Sequence, residues 1–332
     1  MTDLREILVV GETDDGKLAG ITKELLGGAK RLAEPLGSKI NLLLIGGESI
    51  PLAREGLISG ADRVYIADNP AFSEFNSESY THLISEFCKK LNPVLCLIGH
   101  TDAGQEVAPR VAVKLWAGLC MGCIEVRVEP EQGRFIQTRP VYGGKALAEY
   151  SSLPGRIQID TVRPKSMAPG AFQEDKKGEI IKITEEIGSF LTRIRLIRRE
   201  KQETEGIKLE EAKVIVSGGG GVGSKEGFKL IKDLAQLLKG AIGATRVPVD
   251  EGWVPHSLEI GQTGKIVSPD LYIAVGISGA TQHITGIMSS KYTVAINKDS
   301  NANIFKVSNL GAVADYRELL PSLIENLKVL IQ

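Results

Sequence analysis

The sequence predicts an α/β protein of two domains, each built on a mainly parallel sheet flanked by helices. Three observations carry that expectation. The chain has 332 residues, long for one domain and comfortable for two. Short β-branched runs alternate with helical segments through both halves, the pattern of strand–helix–strand crossovers. A dense mixed-charge run, R-R-E-K-Q-E-T-E-G-I-K-L-E-E at Arg198–Glu211, separates the halves. The expected division is 1–198 for the first domain, 199–211 for a charged linker or hinge, and 212–332 for the second.

In the first half, Ile7–Val10, Ile40–Ile45, Val64–Ala67 and Val94–Ile98 have the length and apolar content of buried strands. Helical segments fall between them near Ala19–Leu36, Leu52–Ser59, Ser77–Leu91 and Gln105–Leu115. Asp102 is placed as an N-cap, and Pro93 and Gly118 punctuate helix ends. After Gly118 the pattern shortens. Ile124–Val128, Arg134–Pro140, Lys145–Ser151 and Arg156–Val162 read as strands joined by turns, a β extension packed on the parallel sheet. Met167–Gly178 is loop-like, and Glu179–Arg198 alternates like a strand.

The second half opens on Lys213–Ser217, a compact strand, followed by Gly218–Gly223 and a helix from about Lys225 to Leu238. Further strands are expected at Thr245–Val249, Leu271–Val275, Tyr292–Ile296 and Ile304–Val307. A last helix is expected from Tyr316 to Leu330.

Bulk composition narrows the function. Forty basic and 41 acidic residues leave a net charge of −1, which offers no electrostatic footing for nucleic acid or an anionic membrane. No apolar run approaches the length of a spanning helix. M-T-D-L-R-E-I-L-V-V enters a strand almost at once, so no targeting segment is expected, and a cytoplasmic prokaryotic protein fits. The four cysteines, Cys88, Cys96, Cys120 and Cys123, are too few for a disulfide scaffold. Cys120-Met-Gly-Cys123 has the spacing of a redox pair or half a zinc site, but no second pair stands at zinc spacing; buried free thiols are expected.

The functional signal lies in Asp250–Asn297. Leu271–Val275 runs into Gly276, Ser278, Gly279, Gln282 and His283, and Tyr292–Ile296 runs into Asn297. In an open α/β sheet the carboxyl ends of the strands form the ligand crevice. Small residues there admit a ligand to the backbone, while Ser, Gln, His and Asn supply donors and acceptors. A large polar ligand is expected.

The glycine loop allows a rival reading. Gly218, Gly220 and Gly223 satisfy G-x-G-x-x-G between a strand and a helix, which points to a nicotinamide-dependent dehydrogenase. Asp250 lies farther on than the usual ~20 residues, and four consecutive glycines meet many patterns. What is generic in the loop is a backbone able to offer N–H groups to phosphate.

G-Q-T-G-K at Gly261–Lys265, I-A-V-G-I-S-G-A-T-Q-H at Ile273–His283 and A-I-N-K-D at Ala295–Asp299 together resemble the electron-transfer flavoprotein alpha-subunit (FixB) family. The resemblance implies a nucleotide-hydrolase-like first domain with its β extension and a Rossmann-like second domain holding FAD. It implies that Gly219 and Gly220 lie near the phosphates, with Gly220 where the family's S-G-G-R-G has arginine. Thr245 and Arg246 match the hydroxyl–arginine pair near the flavin, the guanidinium stabilising negative charge on a reduced ring. Gly261, Gln262 and Thr263 match the segment beside the ring, with the Thr263 hydroxyl in reach of N5. Ser278, Gly279, Ala280, Thr281, Gln282 and His283 match the S-G-A-x-Q-H segment, with the histidine near the carbonyl at C2. Asn297, Asp315 and Tyr316 match positions around the adenosine, Tyr316 standing where the family often has leucine.

The resemblance further implies an electron carrier in a heterodimer with a beta subunit that holds AMP or a second FAD. A flavoprotein such as an acyl-CoA dehydrogenase would reduce it, serving fatty acid β-oxidation, and a quinone oxidoreductase would oxidise it. A bifurcating relative, oxidising NADH with ferredoxin as one acceptor, is the alternative. No nucleophile elbow, H-E-x-x-H or carboxylate pair is present, so no catalytic residue or metal ligand is assigned. Alanine at His283 or Arg246 is expected to leave folding intact while lowering the flavin potential.

Overall fold

The computed structural model describes residues 6–46, 49–69, 72–144, 146–151, 153, 155–183, 192–193, 196–198 and 207–331. Strand β1 (Glu6–Gly11) centres the first unit, and its unbroken apolar run Ile7–Val10 is buried on both faces. A hairpin of β2 (Thr13–Asp14) and β3 (Lys17–Leu18) leads into α1 (Gly20–Ala33). Then come β4 (Lys39–Ile45), α2 (Ser49–Ile58), β5 (Arg63–Ala67), α3 (Ser77–Leu91), β6 (Leu95–Gly99) and α4 (Asp102–Leu115). The remainder is β7 (Gly118–Cys123), β8 (Glu125–Glu129), β9 (Arg134–Val141), β10 (Ala146–Ser151), β11 (Gln158–Val162) and β12 (Glu179–Lys182).

Seven of these strands make one parallel sheet in the order β12-β5-β4-β1-β6-β11-β7. Three make an antiparallel sheet, β10-β9-β8. The expected β extension is therefore smaller than the sequence suggested. Gln158–Val162 leaves it to pair in parallel with β6 and β7, and Gly118–Cys123, not expected as a strand, forms the sheet edge. Which sheet a short strand joins depends on partners distant in sequence, and its own residues do not encode that. A second correction concerns the start of α4. Thr101, not Asp102, caps it, its side chain accepting from the Gly104 N–H. All four cysteines are buried free thiols, Cys88 in α3, Cys96 in β6, and Cys120 and Cys123 in β7.

The second unit comprises β13 (Val214–Gly218), α5 (Phe228–Leu237), β14 (Ala241–Ala244), α6 (Arg246–Asp250), β15 (Leu271–Val275), α7 (Thr281–Ile287), β16 (Tyr292–Asn297), β17 (Leu310–Val313) and α8 (Tyr316–Ile331). Its sheet is wholly parallel, in the order β14-β13-β15-β16-β17. Two expected strands are corrected. Thr245–Val249 is helix α6 with its lead-in residue, and the strand is the preceding A-I-G-A. Pro248 decides this: it has no N–H for a ladder, but in a helix's first turn none is needed. Ile304–Val307 belongs to a 3-10 turn that buries Ile304, and the edge strand follows at Leu310–Val313. That edge exposes Leu310 and Val313, so alternation gave no warning.

Contacts divide the chain into Met1–Val141 with Ala146–Arg199, and Tyr142–Lys145 with Glu200–Gln332. Of the charged run, 199–206 lie outside the described residues. Residues 207–211 belong to the second unit: Leu209, 2 % exposed, joins its core, and Glu210 pairs with Lys265 at 2.7 Å. Among the described residues no helix is long and apolar enough to cross a membrane.

Candidate functional site at the carboxyl edge of the second sheet

The second unit's chain starts at β13, lays β14 on one side and then β15 on the other. This is the doubly wound order whose switch point, between β13 and β15, opens a crevice at the carboxyl ends. The loops after these two strands are zipped together. Gly219 N–H donates to Val275 O and Gly221 N–H to Gly276 O, both at 2.9 Å. A Cβ on Gly219 would stand 2.8 Å from the Ile277 Cα, and Gly276 has φ 61°. The glycines are there so that two backbones can touch.

That contact changes what the loop can offer a ligand. The N–H groups of Gly219, Gly221, Val222 and Gly223 are all spent on backbone carbonyls, the last two on Gly219 O and Gly220 O. The loop therefore offers fewer free N–H groups to a phosphate than its run of glycines suggests. Gly220, Gly221 and Gly223 are its exposed residues, Gly220 standing in front of Val247.

Other loops surround this edge. Thr245 N–H donates to Gly218 O at 3.0 Å, fixing the start of α6. Arg246 stands beside it with a side chain 69 % exposed, its Nε 3.1 Å from Asp250 Oδ2. Residues 259–265 continue the edge of β14, with Ile260 N–H on Ala244 O at 2.9 Å. Gln262 N–H donates to Gln282 O at 2.9 Å, so this loop clasps α7. The side chains of Gln262 and Thr263 face solvent, and so do those of Ser278, Ala280, Thr281 and Gln282.

Six of the expected ligand residues also hold the protein's own structure together. Gly261, at φ 151°, is buried against α7, where a Cβ on Gly286 would meet its N at 2.7 Å. Gly279, at φ 84°, is buried against Asn303 and Ile304. Asn297 donates from Nδ2 to Ile277 O at 2.8 Å and accepts the Asp299 N–H at 3.0 Å. Tyr316 is buried with its O–H on Val222 O at 2.8 Å, locking the glycine loop. His283 is 5 % exposed, and both ring nitrogens have protein partners. Asp315, half-buried, accepts the Arg317 N–H at 2.9 Å in the turn before α8.

The histidine's state follows from those partners. Ile260 O, 2.8 Å from Nδ1, can only accept, so Nδ1 carries the proton. Nε2 then accepts from the Tyr272 O–H at 3.0 Å. Burial pushes the imidazole down to about 4, against the smaller opposing effect of the Ile260 carbonyl. A neutral ring with both nitrogens engaged orders Gly261 and Gln262; it has no spare N–H for a ligand. Tyr272 and Glu259, a buried carboxylate under the crevice loop, were missed from sequence. Tyr272 reads as one more apolar residue of β15, and Glu259 as one more charge.

The exposed polar groups at this sheet edge are thus a guanidinium, three hydroxyls and two amides. The set suits a large polar cofactor, and it includes no nucleophile–base pair. Fold and site define an α/β protein with a polar edge, suited to a cofactor, at the carboxyl ends of a doubly wound sheet.

Comparison with known proteins makes the class specific. Residues 7–187 match the electron transfer flavoprotein domain, and residues 208–288 the electron transfer flavoprotein FAD-binding domain. The electron transfer flavoprotein subunit alpha of Thermoanaerobacterium thermosaccharolyticum is 40 % identical over 330 residues, covering 99 % of this chain and 100 % of the relative. That of Megasphaera elsdenii is 38 % identical, covering 99 % and 98 %, and Protein FixB of Clostridium saccharobutylicum is 37 % identical, covering 100 % and 98 %. The chain belongs to the electron transfer flavoprotein alpha-subunit family.

Proposed function

We propose that this chain is the FAD-carrying alpha subunit of a heterodimeric electron-transfer flavoprotein. The carrying observation is the convergence of Arg246, Gln262, Thr263, Ser278, Thr281 and Gln282 on one sheet edge, inside the segment that matches the FAD-binding domain. Its partner would be a beta subunit holding AMP or a second FAD. Donor and acceptor would be a flavoprotein dehydrogenase of the acyl-CoA type and a quinone oxidoreductase. A bound flavin supplies the reversible uptake of electrons. The chain's residues bind the ring, orient it and set the charge around it.

Arg246 has the clearest electrostatic part. Its pair with Asp250 is exposed, so breaking it to meet a ligand costs little. Arg246→Ala is expected to leave the fold intact and to weaken flavin binding about tenfold, the loss of one charge-assisted hydrogen bond. The flavin potential should fall as well, because a reduced, negative ring loses its cation. Unchanged affinity and potential would remove Arg246 from the site.

A flavin and nucleotide count on the chain co-purified with its beta subunit tests the whole reading. One FAD and one AMP per heterodimer is expected for a simple carrier. Two FADs would indicate electron bifurcation, to be followed with NADH and ferredoxin. A complex that stays colourless with added FAD overturns the proposal.

A further inference from the structure

Three polar side chains connect the solvent to the crevice, and only the last has a part in flavin binding. His256 opens a 3-10 turn, His256–Leu258, with its side chain 72 % exposed and Nε2 3.2 Å from Glu259 Oε2. The Glu259 side chain is 5 % exposed. Its other oxygen, Oε1, accepts the Thr263 hydroxyl at 2.6 Å. Thr263 itself is exposed on the crevice loop. Each carboxylate oxygen thus serves a different side of the loop, one toward solvent and one toward the ligand edge.

The backbone is built around this carboxylate. Glu259 N–H donates to His256 O at 2.9 Å, and its carbonyl accepts the Lys265 N–H at 2.8 Å. A Cβ on Gly264 would stand 2.8 Å from the Glu259 Cγ, so only glycine lets the loop close over it. Lys265, the nearest other charge on this loop, turns its ammonium to Glu210 at 2.7 Å and leaves Glu259 to His256. Burying a carboxylate costs several kcal/mol unless it is paired, and an apolar residue would support the loop more cheaply. A group that bridges an exposed imidazole and a hydroxyl is suited to moving protons.

We infer that His256, Glu259 and Thr263 form a proton relay between solvent and the ring-facing edge of the crevice. The inference rests on the flavin reading above, which puts the Thr263 hydroxyl beside N5. For each proton delivered, Thr263 gives up its hydroxyl proton and takes one from Glu259. Glu259 takes one from His256, and His256 takes one from water. Glu259 takes its proton on Oε2 and gives one from Oε1, so a half-turn of its carboxyl group restores the starting state; one proton has crossed, and the electrons come from the donor flavoprotein. In the structure the Thr263 proton points toward Glu259, the direction of release. Delivery requires Glu259 to be protonated first, which turns the hydroxyl around.

The test uses the full heterodimer with flavin bound and counted, and follows proton uptake on reduction with an indicator dye in weak buffer. His256→Ala is expected to slow uptake tenfold or more, on the order of a lost general acid, and free imidazole should restore it. Glu259→Gln and Thr263→Val should slow it likewise without rescue. A second readout needs no flavin. In the full chain alone, the Glu259 carboxyl carbon resonance should differ between the wild type and His256→Ala. Normal uptake in His256→Ala with flavin bound, or a Glu259 resonance indifferent to His256, would overturn the relay. Absence of flavin from the wild-type complex would instead overturn the reading on which it stands.

Discussion

Gly279→Ala loses more than about 3 kcal/mol of stability, and flavin binding with it, since positive φ and backbone overlap are combined at one position. Gly279 has φ 84°, and a Cβ there would lie 2.7 Å from both Asn303 C and Ile304 Cα, with Ile304 N nearer still. These are backbone atoms, held by the Ile304 N–H on Ser278 O at 3.1 Å, and they have no rotamer to escape into. Relief requires the whole 276–281 loop to shift, carrying Ser278, Ala280 and Thr281 out of register with the crevice. Gly252→Ala is the control. Its φ is 68° with nothing within 4 Å of a Cβ, so it should cost only about 1 kcal/mol. Urea unfolding read at Trp253, which packs on Phe228 in the second unit's core, compares the two. Equal losses would show that the contact with Ile304 plays no part.

The second unit should also be acid-labile. His283 is held down to about 4 by burial, whereas an unfolded histidine titrates near 6.5. Between those values the unfolded chain binds the extra proton, so stability is full above about 6.5 and falls as pH drops toward 4. The loss approaches roughly 3 kcal/mol across that window. The first unit carries both signs: burial raises Asp160 to about 7, which favours acid, against His100, lowered to about 4.

With Trp116→Phe as background, Trp253 fluorescence should follow the acid loss in the second unit, and His283→Gln should flatten it. A profile unchanged by His283→Gln would refute the assignment. His283→Ala is no longer expected to leave folding intact. It strips the Ile260 carbonyl and the Tyr272 hydroxyl of their partners inside the core, at a cost of about 3 kcal/mol.

Much of this molecule is legible in its sequence because the relevant physics is local. Ser77–Leu91 and Leu271–Val275 carry their periodicity and their end signals within themselves, and the structure has both at the predicted bounds. The ordered blocks Gly261–Lys265, Ile273–His283 and Ala295–Asp299 sufficed to name the family. Residue types alone pointed to a polar edge at the carboxyl ends of the second unit's strands and to the loops that carry it.

The tertiary structure decided which of those residues are spent. Four N–H groups of the glycine loop, both nitrogens of His283 and the hydroxyl of Tyr316 are consumed inside the protein. The loops bearing Arg246, Gln262, Thr263 and Gln282 keep those side chains exposed. A polar side chain looks the same in sequence whether its partner is a ligand or a carbonyl 94 residues away, as for Tyr316 and Val222. The same holds for Gln158–Val162, whose place between β6 and β7 is a matter of long-range pairing. Hydrogen-bond capacity is a property of the residue, and its expenditure is a property of the fold.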